Sequence, residues 1–126
     1  MLEVIHVLHM LAAALWLGGT FALVFTAVPV IRTFDGPERA RALRELGERW
    51  RPIGWGSLLV LGVSGLAYAA EIGAFSHHRV HSAWGVVFFL KVALAGLLVV
   101  TAFVHDFILG PRLARQIRAG QPQTLR

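Results

Sequence analysis

Three long apolar runs dominate the pattern of this chain, at about 4–31, 53–71 and 83–109. Because about 20 helical residues cross the hydrocarbon core of a bilayer, each run is long enough to span it. The first run follows Glu3 with no Lys or Arg before it and is too long for a signal-peptide core, so we expect it to stay uncleaved. The pattern predicts an all-α integral membrane bundle, with three transmembrane helices in a single domain.

The polar connection between the first two runs has a periodicity of its own. From residue 38 to 50, Arg and Glu alternate with apolar residues at helical spacing, including Leu46 and Trp50. This pattern predicts an amphipathic interfacial helix on the inner membrane surface, or alternatively a solvated linker helix. We expect Pro52 to end this helix and Pro29 to bend the first span.

The basic residues are distributed unevenly along the chain. Six arginines lie in the 32–52 connection and four in the basic tail 111–126, whereas the 72–82 loop carries only Arg79. The positive-inside rule therefore predicts a multi-pass protein of a cell inner membrane, with the N-terminus outside and the C-terminus cytoplasmic. Because topology explains the net charge of +5, we predict the lipid bilayer and no nucleic acid as a partner.

Each apolar run also carries one stripe of polar residues, given about 100° of rotation per helical residue. The stripes are His6, His9, Trp16 and Thr20 on the first span, Ser57, Ser64, Tyr68 and Glu71 on the second, and Lys91 and His105 on the third. Ionisable side chains inside a span indicate function, because hydrocarbon cannot solvate them. We predict that the stripes face a shared interior or the interface of a homodimer.

The depths of these side chains favour a site in the outer half of the membrane. At about 1.5 Å per residue, His9 and His105 differ in depth by roughly 25 Å, so they cannot bind one metal together. The candidate cofactor-binding residues are His6, His9, Trp16, Arg79, Lys91 and His105, and the candidate metal ligands are His6, His9, His77, His78, His81 and His105.

Several of these residues also have structural interpretations. His77, His78, His81 and Arg79 also fit a solvated loop. The Lys91 side chain is long enough to snorkel to the surface. His105 and Asp106 also fit a hydrogen-bonded pair, and Trp16 fits a packing role.

The absence of cysteine excludes thiolate metal sites and iron–sulfur clusters. Neutral imidazole binds zinc, copper and heme iron. Cu(I) prefers thiolate or thioether ligands, and only Met1 and Met10 offer a thioether. Heme b needs an imidazole, flat apolar walls, small residues and cations for its propionates. Residues such as Ala13, Trp16 and Gly19 meet the needs of heme b, whereas the chain offers few soft ligands for Cu(I). The residues therefore favour heme b over copper.

Three short motifs resemble the copper-resistance D (CopD) family of bacterial inner-membrane proteins: His9-x6-Trp16-x-Gly18-Gly19, Leu61-Gly-Val-Ser-Gly65 and Phe89-Leu-Lys91-Val-Ala-Leu. This resemblance covers nearly the whole chain and implies copper uptake. The His9 and Trp16 pair, with Lys91 and His105, also resembles the HemJ-type protoporphyrinogen oxidases, which are small heme b membrane proteins. That weaker resemblance implies heme binding by His9 and a functional role for Lys91.

Four hypotheses follow from these residues. The first is a heme b protein for electron transfer or heme handling, with a membrane redox partner or quinone. The second is copper transport through a relay of His6, His9, Met10 and the loop histidines, with His105 at the exit. The third is a HemJ-like protoporphyrinogen oxidase, and the fourth is a structural subunit of a larger complex.

Overall fold

A computed structural model describes residues 1–112 and Arg115, and every regular element among them is helical. The elements are α1 (Leu2–Ala22), a π-helical segment (Leu23–Ala27), α2 (Val28–Ile31), α3 (Gly36–Glu71), α4 (His77–Val80), α5 (Ala83–Phe103) and a second π-helical segment (Val104–Leu109). The predicted all-α class is confirmed. Most of the predicted basic tail 111–126 lies outside the described residues.

Three continuous helices in the described part of the chain are long and apolar enough to cross a membrane: Leu2–Ile31, Gly36–Glu71 and Ala83–Arg112. They contain the three predicted spans, so the prediction of three transmembrane helices is confirmed. The chain divides into two compact units, Met1–Val80 and His81–Arg126.

In the first unit, α1 and α3 pack as an antiparallel pair. A short turn joins them, in which Thr33 N donates to Val30 O at 3.1 Å. Such a short connection makes consecutive helices antiparallel neighbours. The α1–α3 seam, as we name this contact, is lined by small buried residues: Ala12 on α1, and Gly54, Ser57, Ser64 and Ala69 on α3. Small residues let two helix backbones approach closely in a membrane.

The amphipathic segment 38–50 is helical as predicted, but it is not a separate helix. It forms the first part of α3, which continues through Pro52 to Glu71, so the expectation that Pro52 ends the helix is wrong. A proline inside a helix removes one backbone hydrogen bond and crowds the preceding turn. Next to Pro52, the Trp50 ring packs on Gly19 of α1 and on Gly54 of its own helix.

Two other prolines follow π-helical segments. Val28 N donates to Leu23 O just before Pro29, and Gly110 N donates to His105 O just before Pro111, so each bond reaches back five residues. A proline ring clashes with the carbonyl four residues earlier in an α-helix, and a wider π turn is a common local adjustment. A π turn therefore precedes Pro29, and the bend of the first span stays a prediction.

The second unit begins with a capped helix. Ser82 is the N-cap of α5, and its hydroxyl accepts a hydrogen bond from Gly85 N at 3.3 Å. Such a cap satisfies one of the unpaired amides of the first turn. Further along, the rings of Trp84 and Phe88 stack with centroids 5.2 Å apart. The packing of the α5 stripe against the other two stripes stays a prediction.

Candidate functional site

The α1–α3 seam brings together His9 and Ser64, which are 55 positions apart in sequence. His9 Nδ1 lies 3.1 Å from Ser64 Oγ. The Ser64 hydroxyl also donates to its own helix, 2.5 Å from Val60 O. Ser64 is only 7% exposed, whereas His9 is half-buried. The polar stripes predicted for the first two spans therefore face each other at this point.

The lack of a side chain at Gly65 lets the His9 ring pack closely against α3. A Cβ atom built on Gly65 would lie 3.1 Å from His9 Cε1 and 3.4 Å from His9 Nδ1. Most real Cβ contacts are wider than this, so any larger residue at position 65 would press on the ring. The imidazole is thus held between a serine hydroxyl and a bare stretch of helix backbone.

His6 lies one turn before His9 on α1 and also meets α3. Its ring packs against Tyr68, with centroids 5.2 Å apart and planes tilted by 45°. An open groove at this end of the seam is lined by His6, Tyr68, Glu3 and two apolar side chains. Two imidazoles, a phenol and a carboxylate therefore lie on successive turns of the same two helices.

At the other end of the seam, the ring that packs on glycine is the Trp50 indole, as the His9 imidazole packs on Gly65 at the first end. The indole packs so closely on Gly19 that a Cβ atom there would collide with the ring, and a Cβ on Gly54 would lie 3.1 Å from Trp50 Nε1. Trp16, a predicted cofactor-binding residue, lies between the two ends and is half-buried. Its carbonyl accepts the Thr20 hydroxyl at 2.7 Å.

The predicted loop ligands are exposed. His77, His78 and Arg79 lie on the short helix α4, and His81 follows it. Among the residues that the structure describes, no three His, Asp or Glu side chains come together in a group that could hold a metal. The role of these histidines as ligands stays a prediction.

Lys91 and His105 belong to the second unit. Lys91 is exposed on α5. His105 lies in the second π-helical segment, where its Nδ1 is 3.0 Å from Asp106 Oδ1. The interpretation of His105 and Asp106 as a hydrogen-bonded pair is thereby confirmed. Since Pro111 accounts for the π turn, the turn does not itself indicate a functional site at His105.

Four residues at the His9 end of the seam were not predicted as site residues: Ser64, Gly65, Tyr68 and Glu3. Ser64 and Tyr68 were predicted on the polar side of the second span, and Gly65 closes one of the glycine-rich motifs. The missing information was the register between α1 and α3, which places Ser64 opposite His9.

The model of the family described as "CopD: Copper resistance protein D" matches residues 44–126. This match covers more than half of the chain and includes Ser64, Gly65, Lys91 and His105, while α1 precedes it. No curated protein and no solved structure gives a significant match. With its three apolar helices and this match, the chain is a membrane protein that belongs to the copper resistance protein D family.

Proposed function

We propose that this protein binds copper in a bacterial inner membrane, with His9 as the main ligand and His6 as the second, and passes the ion on. The family supports copper as the metal. The observation that carries the site is the placement of both imidazoles against α3, His9 on Ser64 and His6 on Tyr68. Side chains three residues apart on a helix have Cβ atoms about 5–6 Å apart, close enough for two imidazoles to bind one ion.

The ligand chemistry suits transfer better than storage. Imidazole is a good ligand for copper, whereas the thiolates that bind Cu(I) most tightly need cysteine, which the chain lacks. Met10 is next to His9 but lies about 100° further round the helix, and it is 55% exposed. An ion that must move through a membrane needs sites weak enough to release it. A homodimer would supply further imidazoles.

The charge distribution supports entry from the outside. Glu3 and His6 lie at the end of the seam that the arginine asymmetry orients outward. His77, His78 and His81 follow α3 at that same end and would collect ions there. His105 would act at the exit on the cytoplasmic side.

Heme b at His9 is the second candidate. The half-buried imidazole, its hydrogen bond to Ser64 and the bare backbone at Gly65 fit the proximal side of a heme. Arg79 and Lys91 would pair with the propionates, and a membrane quinone or redox partner would exchange electrons with the iron. A HemJ-like oxidation of porphyrinogen would use the same histidine together with Lys91.

Purified protein in detergent separates these candidates. We expect it to bind about one copper per chain in equilibrium dialysis, and His9→Ala to weaken binding by roughly 100-fold or more, since even indirect changes around a metal ligand cost 10–100-fold. His105→Ala changes the proposed exit of the relay and is expected to keep the copper bound at His9. Circular dichroism checks that the variants remain helical.

Absorption spectra of the oxidised and dithionite-reduced protein provide the opposing outcome. A Soret band with a b-type α band, lost in His9→Ala, would replace copper by heme b at the same residue. Wild-type protein with neither copper nor heme would reject the metal site altogether.

A further inference from the structure

The Ser64 hydroxyl has one proton and three polar neighbours. Its oxygen lies 2.5 Å from Val60 O, 3.1 Å from His9 Nδ1 and 3.4 Å from Leu61 O. A carbonyl can only accept, and a serine inside a helix commonly donates to the carbonyl four residues earlier. The Ser64 proton therefore goes to Val60, and the Ser64 oxygen accepts from His9. It follows that His9 Nδ1 carries a hydrogen.

A neutral imidazole protonated at Nδ1 has its lone pair on Nε2. Histidines that bind metals usually donate their other ring N–H to a fixed acceptor, which sets the tautomer and the ring orientation. We propose that Ser64 is a positioning residue that holds His9 as the Nδ1–H tautomer and so makes Nε2 the ligating nitrogen. The proposed tautomer depends on the Ser64 contacts, whereas its use rests on the proposed metal binding.

Burial and close packing strengthen this hydrogen bond. Ser64 is only 7% exposed, and a hydrogen bond shielded from water in a low-dielectric environment is stronger than one at a surface. The backbone at Gly65 limits the movement of the ring on the side of Cε1. A 180° flip of the ring would put Cδ2 in the place of Nδ1, and it would have to break the bond inside this confined space.

Ser57 provides a matched control on the same helix. It lies two turns before Ser64, is 5% exposed, and donates to the carbonyl four residues earlier, Ile53 O, at 2.8 Å. Ser57→Ala therefore removes the same kind of buried, back-bonded hydroxyl from the same seam without removing a partner of His9. A difference between the two alanine variants isolates the hydrogen bond to the imidazole.

The test is NMR of the ring nitrogens in the ¹⁵N-histidine-labelled full chain in micelles, with metal removed by a chelator. The His9 signals are assigned by their loss in His9→Gln. We expect the Nδ1–H pattern in wild type and in Ser57→Ala, and a shift towards Nε2–H in Ser64→Ala. Ser64→Thr restores the hydroxyl and is expected to restore the tautomer.

Copper titration of the same variants gives the functional readout. Ser64→Ala is expected to weaken binding by 10–100-fold, the usual cost of losing a partner of a metal ligand. Ser57→Ala is expected to bind like wild type, and Ser64→Thr to recover most of the loss.

The outcomes distinguish this inference from the proposed function. An Nε2–H pattern in the wild-type protein overturns the inference without any variant having to fold. An unchanged tautomer in Ser64→Ala overturns it as well. The expected tautomers, found in a protein that binds neither copper nor heme, support Ser64 as the residue that orients His9 and overturn the metal-binding function.

Discussion

Each end of the α1–α3 seam has one ring packed on glycine, but the ring belongs to a different residue type at each end. At one end the Trp50 indole packs on Gly19 and Gly54, and at the other the His9 imidazole packs on Gly65. Both ends use glycine to let a ring approach the backbone of a helix. Only the imidazole end adds a buried hydroxyl, Ser64, at hydrogen-bond distance.

This difference gives the two ends different roles, packing at the Trp50 end and the proposed ligand binding at the His9 end. An indole offers ring surface and one N–H donor, whereas an imidazole offers a nitrogen lone pair that can bind a metal. We therefore expect changes at the Trp50 end to affect stability, and changes at the His9 end to affect binding. Substitutions at each end of the seam can therefore distinguish the two roles.

The largest effect is expected in cysteine labelling, which reports the side of the membrane that each end of the seam faces. The chain has no native cysteine, so Ala40→Cys and Ser76→Cys each introduce one thiol at an exposed position. Most of α3 lies between these two positions. Its 36 residues correspond to about 54 Å of helix, which is longer than the roughly 30 Å thickness of the hydrocarbon core. An impermeant maleimide is expected to label Ser76→Cys in intact cells and Ala40→Cys only after permeabilisation. Labelling of both from one side would contradict the topology and place both ends of the seam on the same side.

The next effect is a loss of stability at the Trp50 end. In Gly19→Ala the new methyl would collide with the indole, and Gly54 on the other side leaves the ring little room to move. Overpacking of this kind costs about 1–3 kcal/mol. Thermal unfolding in detergent is expected to show this loss, with copper binding retained by the variant while it is folded.

Gly18→Ala is the control for this prediction. A Cβ at Gly18 meets nothing within 4 Å, and the substitution changes helix propensity in the same way as Gly19→Ala. The difference between the two variants therefore measures the collision alone. Equal unfolding midpoints for Gly18→Ala and Gly19→Ala would remove the steric role assigned to the Trp50 end.

Much of this arrangement could be predicted from the sequence, because hydropathy and helical periodicity are local properties. The three apolar runs gave the three spans, and the rotation per residue put His9 and Ser64 on the polar sides of their helices. The prediction for Pro52 was wrong because the tendency of proline to end a helix is a local rule. It does not include tertiary contacts such as that of Trp50 with Gly19. The helix continues through Pro52.

The rest depended on register, which no single helix contains. Gly18 and Gly19 are adjacent in sequence, yet only Gly19 meets Trp50. In the same way, Ser57 and Ser64 belong to one stripe, and only Ser64 meets His9. The turn between α2 and α3 sets which residues face each other, and a shift of one residue would rotate each partner by about 100°.

The smallest effect is expected at Gly65. In Gly65→Ala the new methyl would lie 3.1 Å from His9 Cε1, so the imidazole must move by a few tenths of an ångström. Alanine favours a helix over glycine by up to about 1 kcal/mol, which offsets a contact this mild, and the unfolding midpoint is expected to change little. Copper affinity is expected to fall less than in Ser64→Ala, where the hydrogen bond itself is lost. Gly62→Ala, where a Cβ meets nothing within 4 Å, is expected to bind copper like wild type. If Gly65→Ala instead lowered stability and left binding untouched, the His9 end would be a packing contact like the Trp50 end.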